Sequence, residues 1–421
     1  MGKNIWIWVF SAVLTFFASA LQAERIATPW DGKFRETPAA FSFDKTTLPF
    51  KAADHIKAVQ LAGPQFKGRA SKIFCWYGIP DSKDGKPVPG IVLVHGGGGF
   101  AFSRWVEIWN KRGYAAIAVD TCGNIPQHDM EGRKHKPLRN PDHGATEKEK
   151  YFVNIPSTDQ WSYQAVAAVI SAHSFLRSFK SVDSSKIGIT GVSWGGYLTL
   201  LAAAADERFA FAIPVYGCGY YEGTYFKQAM LKRKRTEDDL KKWCKLWDPA
   251  NYLKNATMPL IMVNGTDDFF FHPESWTKTT LLPQDIYMAV KIQMSHSHKQ
   301  ADVPTVFAFA DSVVKGELFP KLASEGVKDG KAFAVFKNTQ KVVRAEYSYT
   351  TESVSSKKRK WTTVNVKFAP GSEIRLEHAV PENAFSGFFN VYTSDKYPED
   401  MGLVKNYGKT PVYSSSRPLC Y

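Results

Sequence analysis

Cysteine is scarce in this chain, which contains five in 421 residues. The five are scattered, and no two of them have the spacing of metal ligands: Cys75, Cys122, Cys218, Cys244 and Cys420. This excludes a disulfide-rich scaffold and a cysteine-based metal site. An oxidising compartment would allow one or two disulfide bonds and would leave at least one thiol over.

A hydrophobic run long enough to span a membrane is also missing. The N-terminal apolar segment, residues 5–18, is shorter than the roughly 20 residues that a spanning helix needs, and no later segment is long or apolar enough. This segment follows Lys3 and precedes small residues up to Ala23, which is the pattern of a secretory signal. We therefore expect residues 1–23 to be a signal peptide, the protein to be secreted or periplasmic, and no stable membrane anchor to be present.

Acidic residues are fewer than basic ones, 40 against 54, and the formal net charge is +14. The excess is spread along the chain, with short basic runs at residues 232–235 and 357–360. Such runs are usually solvated surface. Because no nucleic-acid-binding fold or base-stacking platform can be recognised, a nucleic-acid partner is not expected. An acidic polymer, such as a uronate-bearing polysaccharide, is compatible with the charge but not required by it.

The chain is long enough for two globular domains, and its 44% hydrophobic residues can form sizeable cores. Between residues 89 and 321, β-rich runs alternate with helical ones, which predicts an α/β domain with a mostly parallel sheet and helices on both faces. The predicted strands are 91–94, 115–119, 187–190, 211–215, 260–263 and 287–292, and the predicted helices are 105–111, 160–176, 197–205, 237–246, 273–281 and 303–314.

After this region, short β-rich segments lie between turn residues with little helical periodicity. We expect residues 24–325 to form the catalytic domain with an N-terminal extension, and residues 330–421 to form an immunoglobulin-like β-sandwich. This second domain would either help to bind a polymer or buttress the first. Two long connections, 123–160 and 220–247, follow strand ends and are expected to wall a substrate cleft.

A Gly-x-Ser-x-Gly pattern at residues 191–195 directly follows one predicted strand and precedes a helix. A serine in this position is the nucleophile elbow of serine hydrolases, where a sharp turn exposes the hydroxyl group. Ser193 is therefore the candidate nucleophile. A serine hydroxyl needs an imidazole to take its proton, and the imidazole needs a carboxylate to orient it.

Both partners follow the serine in the expected order. Asp268 stands three residues after Gly265 at the end of a strand and is preferred as the acid over Asp267, although one of the two aspartates could cap the turn. His296 follows the last predicted strand of the domain and is preferred as the base over His298. The two histidines could also be read as metal ligands, but no third ligand has a suitable spacing nearby.

The oxyanion hole is expected in the glycine-rich loop at residues 95–100, which follows the first strand of the predicted sheet. Backbone N–H groups of Gly97 or Gly98 would act together with that of Trp194 to hold the negative oxygen of a tetrahedral intermediate. His95 is expected to brace the loop. The loop lacks the lysine of a P-loop and the spacing of a dinucleotide fingerprint, so neither a cofactor nor a metal is expected.

With these motifs, residues 72–321 resemble the α/β-hydrolase superfamily, especially its acetylxylan esterase, dienelactone hydrolase and prolyl-oligopeptidase-like branches. The likeness is carried by residues 92–99, 113–120, 182–188, 191–197 and 265–268. The C-terminal domain is similar to that of PhoPQ-activated pathogenicity-related proteins. Two departures matter: Ser193 replaces the cysteine of dienelactone hydrolases, and too few residues precede His95 for the propeller of a prolyl oligopeptidase.

The leading hypothesis is an exported serine esterase that removes acyl groups from a polysaccharide or a small-molecule ester, as the resemblance to acetylxylan esterases implies. A serine aminopeptidase or acylaminoacyl peptidase would share every catalytic part. A catalytically inactive glycan-binding protein on the same fold is the non-enzyme alternative, although the order of serine, aspartate and histidine speaks against it.

Overall fold

The computed structural model describes residues 25–128, 138–294, 296–298, 304–353, 359–394 and 412–420. The signal peptide lies outside these residues and stays a prediction. Among the described helices, none combines the length and the apolar character needed to cross a bilayer. All five cysteines are free thiols.

Eleven strands precede the C-terminal region: β1 (Ala40–Ser42), β2 (Lys57–Phe66), β3 (Arg69–Gly78), β4 (Val88–Val94), β5 (Ala115–Val119), β6 (Asn124–Ile125), β7 (Leu138–Arg139), β8 (Val182–Val192), β9 (Ala212–Val215), β10 (Leu260–Gly265) and β11 (Ile286–Lys291). Strands β6 and β7 pair with each other, and the other nine form one sheet in the order β1-β2-β3-β5-β4-β8-β9-β10-β11. The six strands from β5 to β11 in this order are parallel. The first three pair antiparallel at one edge and extend the sheet beyond the predicted segment.

The strands of this region alternate with seven described α-helices: α1 (Ser103–Lys111), α2 (Trp161–Arg177), α3 (Trp194–Ala205), α4 (Tyr225–Lys232), α5 (Glu237–Trp247), α6 (Pro273–Thr279) and α7 (Pro304–Lys315). Every residue of β5 is buried, as expected for a strand that helices cover on both faces. The predicted α/β fold is confirmed, but helix α4 is missing from the predicted elements, and β8 begins at Val182 and not at residue 187.

The strand order places two loops side by side. From β4 the chain passes to β5 on one side and later returns to β8 on the other, so β4 and β8 flank the point where the direction of winding changes. In such sheets, ligands bind beyond the carboxyl ends of the strands at this switch point. Val94 at the end of β4 pairs with Gly191 near the end of β8. The glycine-rich loop and the serine turn therefore start from neighbouring positions.

The C-terminal region contains β12 (Lys321–Lys328), β13 (Lys331–Lys337), β14 (Arg344–Thr350), β15 (Thr362–Asn365), β16 (Glu373–Ala379), β17 (Ser386–Ser394), β18 (Val412–Ser415) and β19 (Leu419–Cys420). They form a sheet of β12, β13 and β16 and a second sheet of β15, β14, β17, β18 and β19. Alternate residues of both sheets share a core that includes Phe336, Leu376 and Phe389. Phe388, on the other face of β17, packs into the core of the catalytic region. This fits a small β domain, whose predicted boundary and immunoglobulin-like topology stay predictions.

Candidate active site

Ser193 occupies a sharp turn between β8 and α3. Its backbone has φ 62° and ψ −118°, a conformation that is unusual for a residue with a side chain and that stores strain at the site. The flanking glycines are required by close backbone contacts. A Cβ atom at Gly191 would lie 2.4 Å from the carbonyl oxygen of Gly195, and one at Gly195 would lie 2.1 Å from that of Val94. Both glycines therefore allow the turn to close tightly around the serine.

His296 reaches this serine. Its Nε2 atom lies 2.7 Å from Ser193 Oγ, which is a hydrogen-bonding distance between a candidate nucleophile and its base. On the other side of the ring, His296 Nδ1 lies 3.2 Å from Asp268 Oδ2. The spacing is that of an ion pair, and such contacts often tighten only when substrate binds. The structure thus brings together three residues that are 75 and 28 positions apart along the chain.

Asp268 is held in place by its own turn. Its side chain is fully buried, and Oδ1 accepts hydrogen bonds from the backbone N–H groups of Phe270 at 2.8 Å and Phe271 at 3.2 Å. This leaves Oδ2 facing the imidazole of His296. Asp267 instead accepts a hydrogen bond from the hydroxyl of Thr266 at 3.1 Å and belongs to the turn. The geometry therefore assigns different positions to the two aspartates.

His298, the alternative base, contacts the glycine-rich loop and is not hydrogen-bonded to the nucleophile. Its Nε2 accepts a hydrogen bond of 2.9 Å from the N–H of Gly96, in the glycine-rich loop. Burial, together with the nearby charges of His95 and His296, lowers the pKa of His298 to about 4. A neutral imidazole with Nε2 as acceptor is the form that this hydrogen bond requires. His298 thus holds the loop and does not contact Ser193 Oγ.

This burial predicts a specific pH dependence of folding. Below about pH 6.5 the unfolded chain takes up a proton on His298, whereas the folded site stays neutral down to about pH 4, so stability falls as the pH falls between these values. The full contribution is on the order of 3 kcal/mol.

Urea unfolding of the wild type and of His298→Gln, which retains an acceptor for Gly96, should show a shallower pH dependence in the variant. His143 and His173 are also buried with lowered pKa values but are present in both proteins. If the free energy of unfolding of the two proteins fell in parallel as the pH is lowered, the pH dependence could not be assigned to His298.

The glycine-rich loop places Gly97 against Trp194. A Cβ atom at Gly97 would lie 2.7 Å from Trp194 Cδ1, so only glycine allows the loop to approach this closely. Trp194 is the first residue of α3, where backbone N–H groups have no partner within the helix and the helix dipole is positive. Neither the Gly97 nor the Trp194 N–H donates a hydrogen bond to another residue in the described ranges. These two groups are suited to hold an oxyanion.

Gly98, the other glycine predicted for the oxyanion hole, is not free for that role, because its N–H already donates a hydrogen bond of 2.5 Å to Glu147 Oε2. Glu147 and its partner Lys150 are two site residues that the sequence motifs do not identify. Lys150 Nζ lies 2.7 Å from Glu147 Oε1 and 4.4 Å from the centre of the Trp194 ring. Burial alone would raise the pKa of Glu147, but Lys150 and the Gly98 N–H outweigh it and leave that pKa below its ordinary value. Glu147 is therefore ionised, and each of its carboxylate oxygens already has a partner.

A cleft of about 630 Å³ opens above Ser193. Both long connections contribute to it, the first through Lys150 and Tyr151 and the second through the helix α4 and Arg233. This confirms the prediction that these connections wall the cleft. Among the described residues, no group of three histidine, cysteine, aspartate or glutamate side chains is arranged to hold a metal ion.

Comparisons with known proteins match the part of the chain that forms this site. A profile of the prolyl oligopeptidase family matches residues 143–314, which include Ser193, Asp268 and His296. The uncharacterized peptidase YuxL of Bacillus subtilis is 22% identical over 208 residues, and the match covers 46% of this chain and 28% of that protein. The chain thus spans less than a third of the length of this relative.

Two solved structures are similar over most of their own length. The acetyl xylan esterase of a Paenibacillus species is 19% identical with a TM-score of 0.50, covering 68% of this chain and 96% of that one. Acetyl xylan esterase 1 of a Thermoanaerobacterium species is 16% identical with a TM-score of 0.52, covering 66% and 88%. At these identities the likeness concerns the fold. The match to the family profile and this shared fold, together with the sheet order and the serine elbow, place the chain in the α/β-hydrolase superfamily as a hydrolase of the serine type.

Proposed function

We propose that this protein is an exported carboxylic ester hydrolase that removes acyl groups, in the first place acetyl groups, from a polysaccharide. The observation that carries the hydrolytic part is the 2.7 Å contact between His296 Nε2 and Ser193 Oγ, with Asp268 behind the imidazole. Export rests on the signal-like pattern of residues 1–23. The polysaccharide substrate is supported by the shared fold of the two acetyl xylan esterases.

The reaction follows from these positions. Ser193 Oγ attacks the acyl carbon while His296 Nε2 takes its proton, and Asp268 stabilises the imidazolium that forms. The N–H groups of Gly97 and Trp194 hold the oxyanion of the tetrahedral intermediate. His296 then gives the proton to the leaving alcohol. In the second half of the reaction, water attacks the acyl carbon while His296 takes a proton from it, and His296 returns this proton to Ser193 Oγ as the carboxylic acid leaves.

The state of Glu147 favours an ester over a peptide with a free amine. A serine aminopeptidase needs a carboxylate that can bind the ammonium group of its substrate. Glu147 is the one acidic side chain among the described residues that line the cleft, and it is already bound to Lys150 and to the Gly98 N–H. A free ammonium group would have to compete with a buried lysine for it.

A peptidase acting on blocked N-termini is the second candidate, because the profile of the prolyl oligopeptidase family matches the segment that contains all three catalytic candidates. Such a substrate has no ammonium group to bind. Parallel assays distinguish the two functions. We expect release of acetate from acetylated xylan and from 4-nitrophenyl acetate, with kcat/KM well above that for aminoacyl and N-acetylaminoacyl anilides. Preferential hydrolysis of either anilide would overturn the ester assignment.

An inactive glycan-binding protein on this fold would give a third result. A fluorophosphonate reacts only with an activated serine, so a folded preparation without enzymatic function would not be labelled. We expect labelling at Ser193. A folded protein that resists the reagent at every serine would contradict both hydrolase candidates.

A further inference from the structure

The cleft above Ser193 contains more positive than negative charge. Lys150, Lys232 and Arg233 line it, and Glu147 is the one acidic side chain among the described lining residues. Glu147 lies 2.7 Å from Lys150, so these two charges largely cancel. Two cations are left over on the side of the cleft formed by the end of α4.

Lys232 and Arg233 have no carboxylate partner within the described ranges. Lys232 is the last residue of α4, and Arg233 caps that helix through its backbone. A helix C-terminus favours positive charge, so the fold stabilises both cations at this position. Both side chains are exposed and can reach a ligand in the cleft.

Arg233 also lies within electrostatic reach of the site. Its guanidinium carbon is 5.5 Å from the centre of the Tyr151 ring, which itself contacts Trp194 next to the nucleophile. After the larger effect of burial, the charge of Arg233 helps to lower the pKa of Lys150. Arg233 is exposed and Lys150 is paired with Glu147, so the repulsion between the two cations is small. The positive potential of Arg233 nevertheless reaches the site, where it would attract a bound anion.

We propose that the substrate of this hydrolase carries a carboxylate, as a uronic acid unit of an acylated polysaccharide does, and that Arg233 and Lys232 bind it beside the reacting ester. This inference rests on the proposed esterase function and names its substrate class. The planar guanidinium of Arg233 matches a carboxylate through two parallel N–H bonds, and Lys232 adds a second point charge. The aromatic side chain of Tyr225 lines the same cleft, is only partly buried and can pack against a sugar ring.

The first test uses two matched substrates. One is an acetylated xylo-oligosaccharide with a glucuronic acid branch, and the other is the same compound with its carboxylate reduced to an alcohol. We expect kcat/KM for acetate release to be about tenfold higher for the acid at low salt, and the preference to shrink as salt is added. In Arg233→Gln and Lys232→Gln the ratio should approach one. Lys234→Gln removes the same charge from an exposed position outside the cleft lining and should retain the preference.

The second test does not require an ester to be cleaved. A galacturonate oligomer should slow fluorophosphonate labelling of the wild type more than a neutral galactose oligomer does, and this difference should be lost in Arg233→Gln. Equal protection by both oligomers, together with equal kcat/KM for both esters, would overturn the inference and leave the esterase function intact. Protection by galacturonate alone, without hydrolysis of any ester, would support the anion site and overturn the ester function.

Discussion

Ser193→Ala is expected to abolish ester hydrolysis, with kcat falling by about 10⁴- to 10⁶-fold. The side chain of Ser193 is the group within hydrogen-bonding distance of His296 Nε2, so the variant loses both the attacking atom and the base's partner. Binding and the oxyanion donors would remain and would support only a residual rate. Initial rates with 4-nitrophenyl acetate measure the effect, and circular dichroism checks the fold. Since φ at this position is 62°, alanine has the same backbone strain as serine, and a large loss of stability is not expected.

A matched control is available on β8, the strand that precedes the elbow. Ser185 is exposed and hydrogen-bonds Asp183 in the first half of β8, far along the strand from the elbow. Ser185→Ala should keep the wild-type rate. If Ser193→Ala retained more than about a tenth of the activity, another group would have to be the nucleophile.

Asp268→Asn is expected to lower kcat by about 10⁴-fold while the fold stays intact. An amide is nearly isosteric with the carboxylate, and its oxygen can still accept the hydrogen bonds from Phe270 and Phe271. What is lost is the negative charge 3.2 Å from His296 Nδ1, which fixes the tautomer and stabilises the imidazolium. Rates and thermal unfolding of the same preparation separate the catalytic effect from a structural one.

Asp267→Asn provides the control for this prediction. Asp267 is the neighbouring residue, is only partly buried, and is bonded to Thr266 and not to His296. Its replacement should change the rate by no more than a few fold. A larger loss in Asp267→Asn than in Asp268→Asn would mean that the acid has been assigned to the wrong aspartate.

The elbow could be predicted because its chemistry requires particular residues. Only glycine fits at Gly191 and Gly195, where backbone oxygens lie within 2.4 Å of the missing Cβ atoms. The central strands and all helices except α4 could also be predicted. Continuous apolar runs such as β5, for example, are typical of strands buried on both faces. These patterns depend only on residues that are close together in the sequence, so the sequence alone is enough to recognise them.

The choice between the two histidines depends on tertiary contacts. His296 and His298 are two residues apart and are equivalent in any local pattern. The contact of one with Ser193 and of the other with Gly96 is decided by how the turn after β11 crosses the ends of β4 and β8. The prediction preferred His296 because it is the first histidine after the last strand of the domain. In the structure, His296 is the one that contacts Ser193.

Glu147 and Lys150 could not be predicted as site residues. Their spacing of three residues is common on any helical turn, and the capping box of Thr146 and Glu149 indicates the turn but not its place in the cleft. What brings them into the site is contact with residues distant in sequence, of Lys150 with the Trp194 ring and of Glu147 with the Gly98 N–H. By contrast, the hairpin of β2 and β3 has a local signal in Lys67 and Gly68, both with positive φ, between two β-rich runs.

If Ser193 is the nucleophile, it becomes acylated during turnover. The most direct measurement is mass spectrometry of peptides from enzyme that has been acid-quenched during hydrolysis of 4-nitrophenyl acetate. We predict an acetyl group on the peptide that contains Ser193, absent from Ser193→Ala treated in the same way. An active enzyme that carries the acetyl group on a different residue, or an equal amount of it in Ser193→Ala, would show that Ser193 is not the nucleophile.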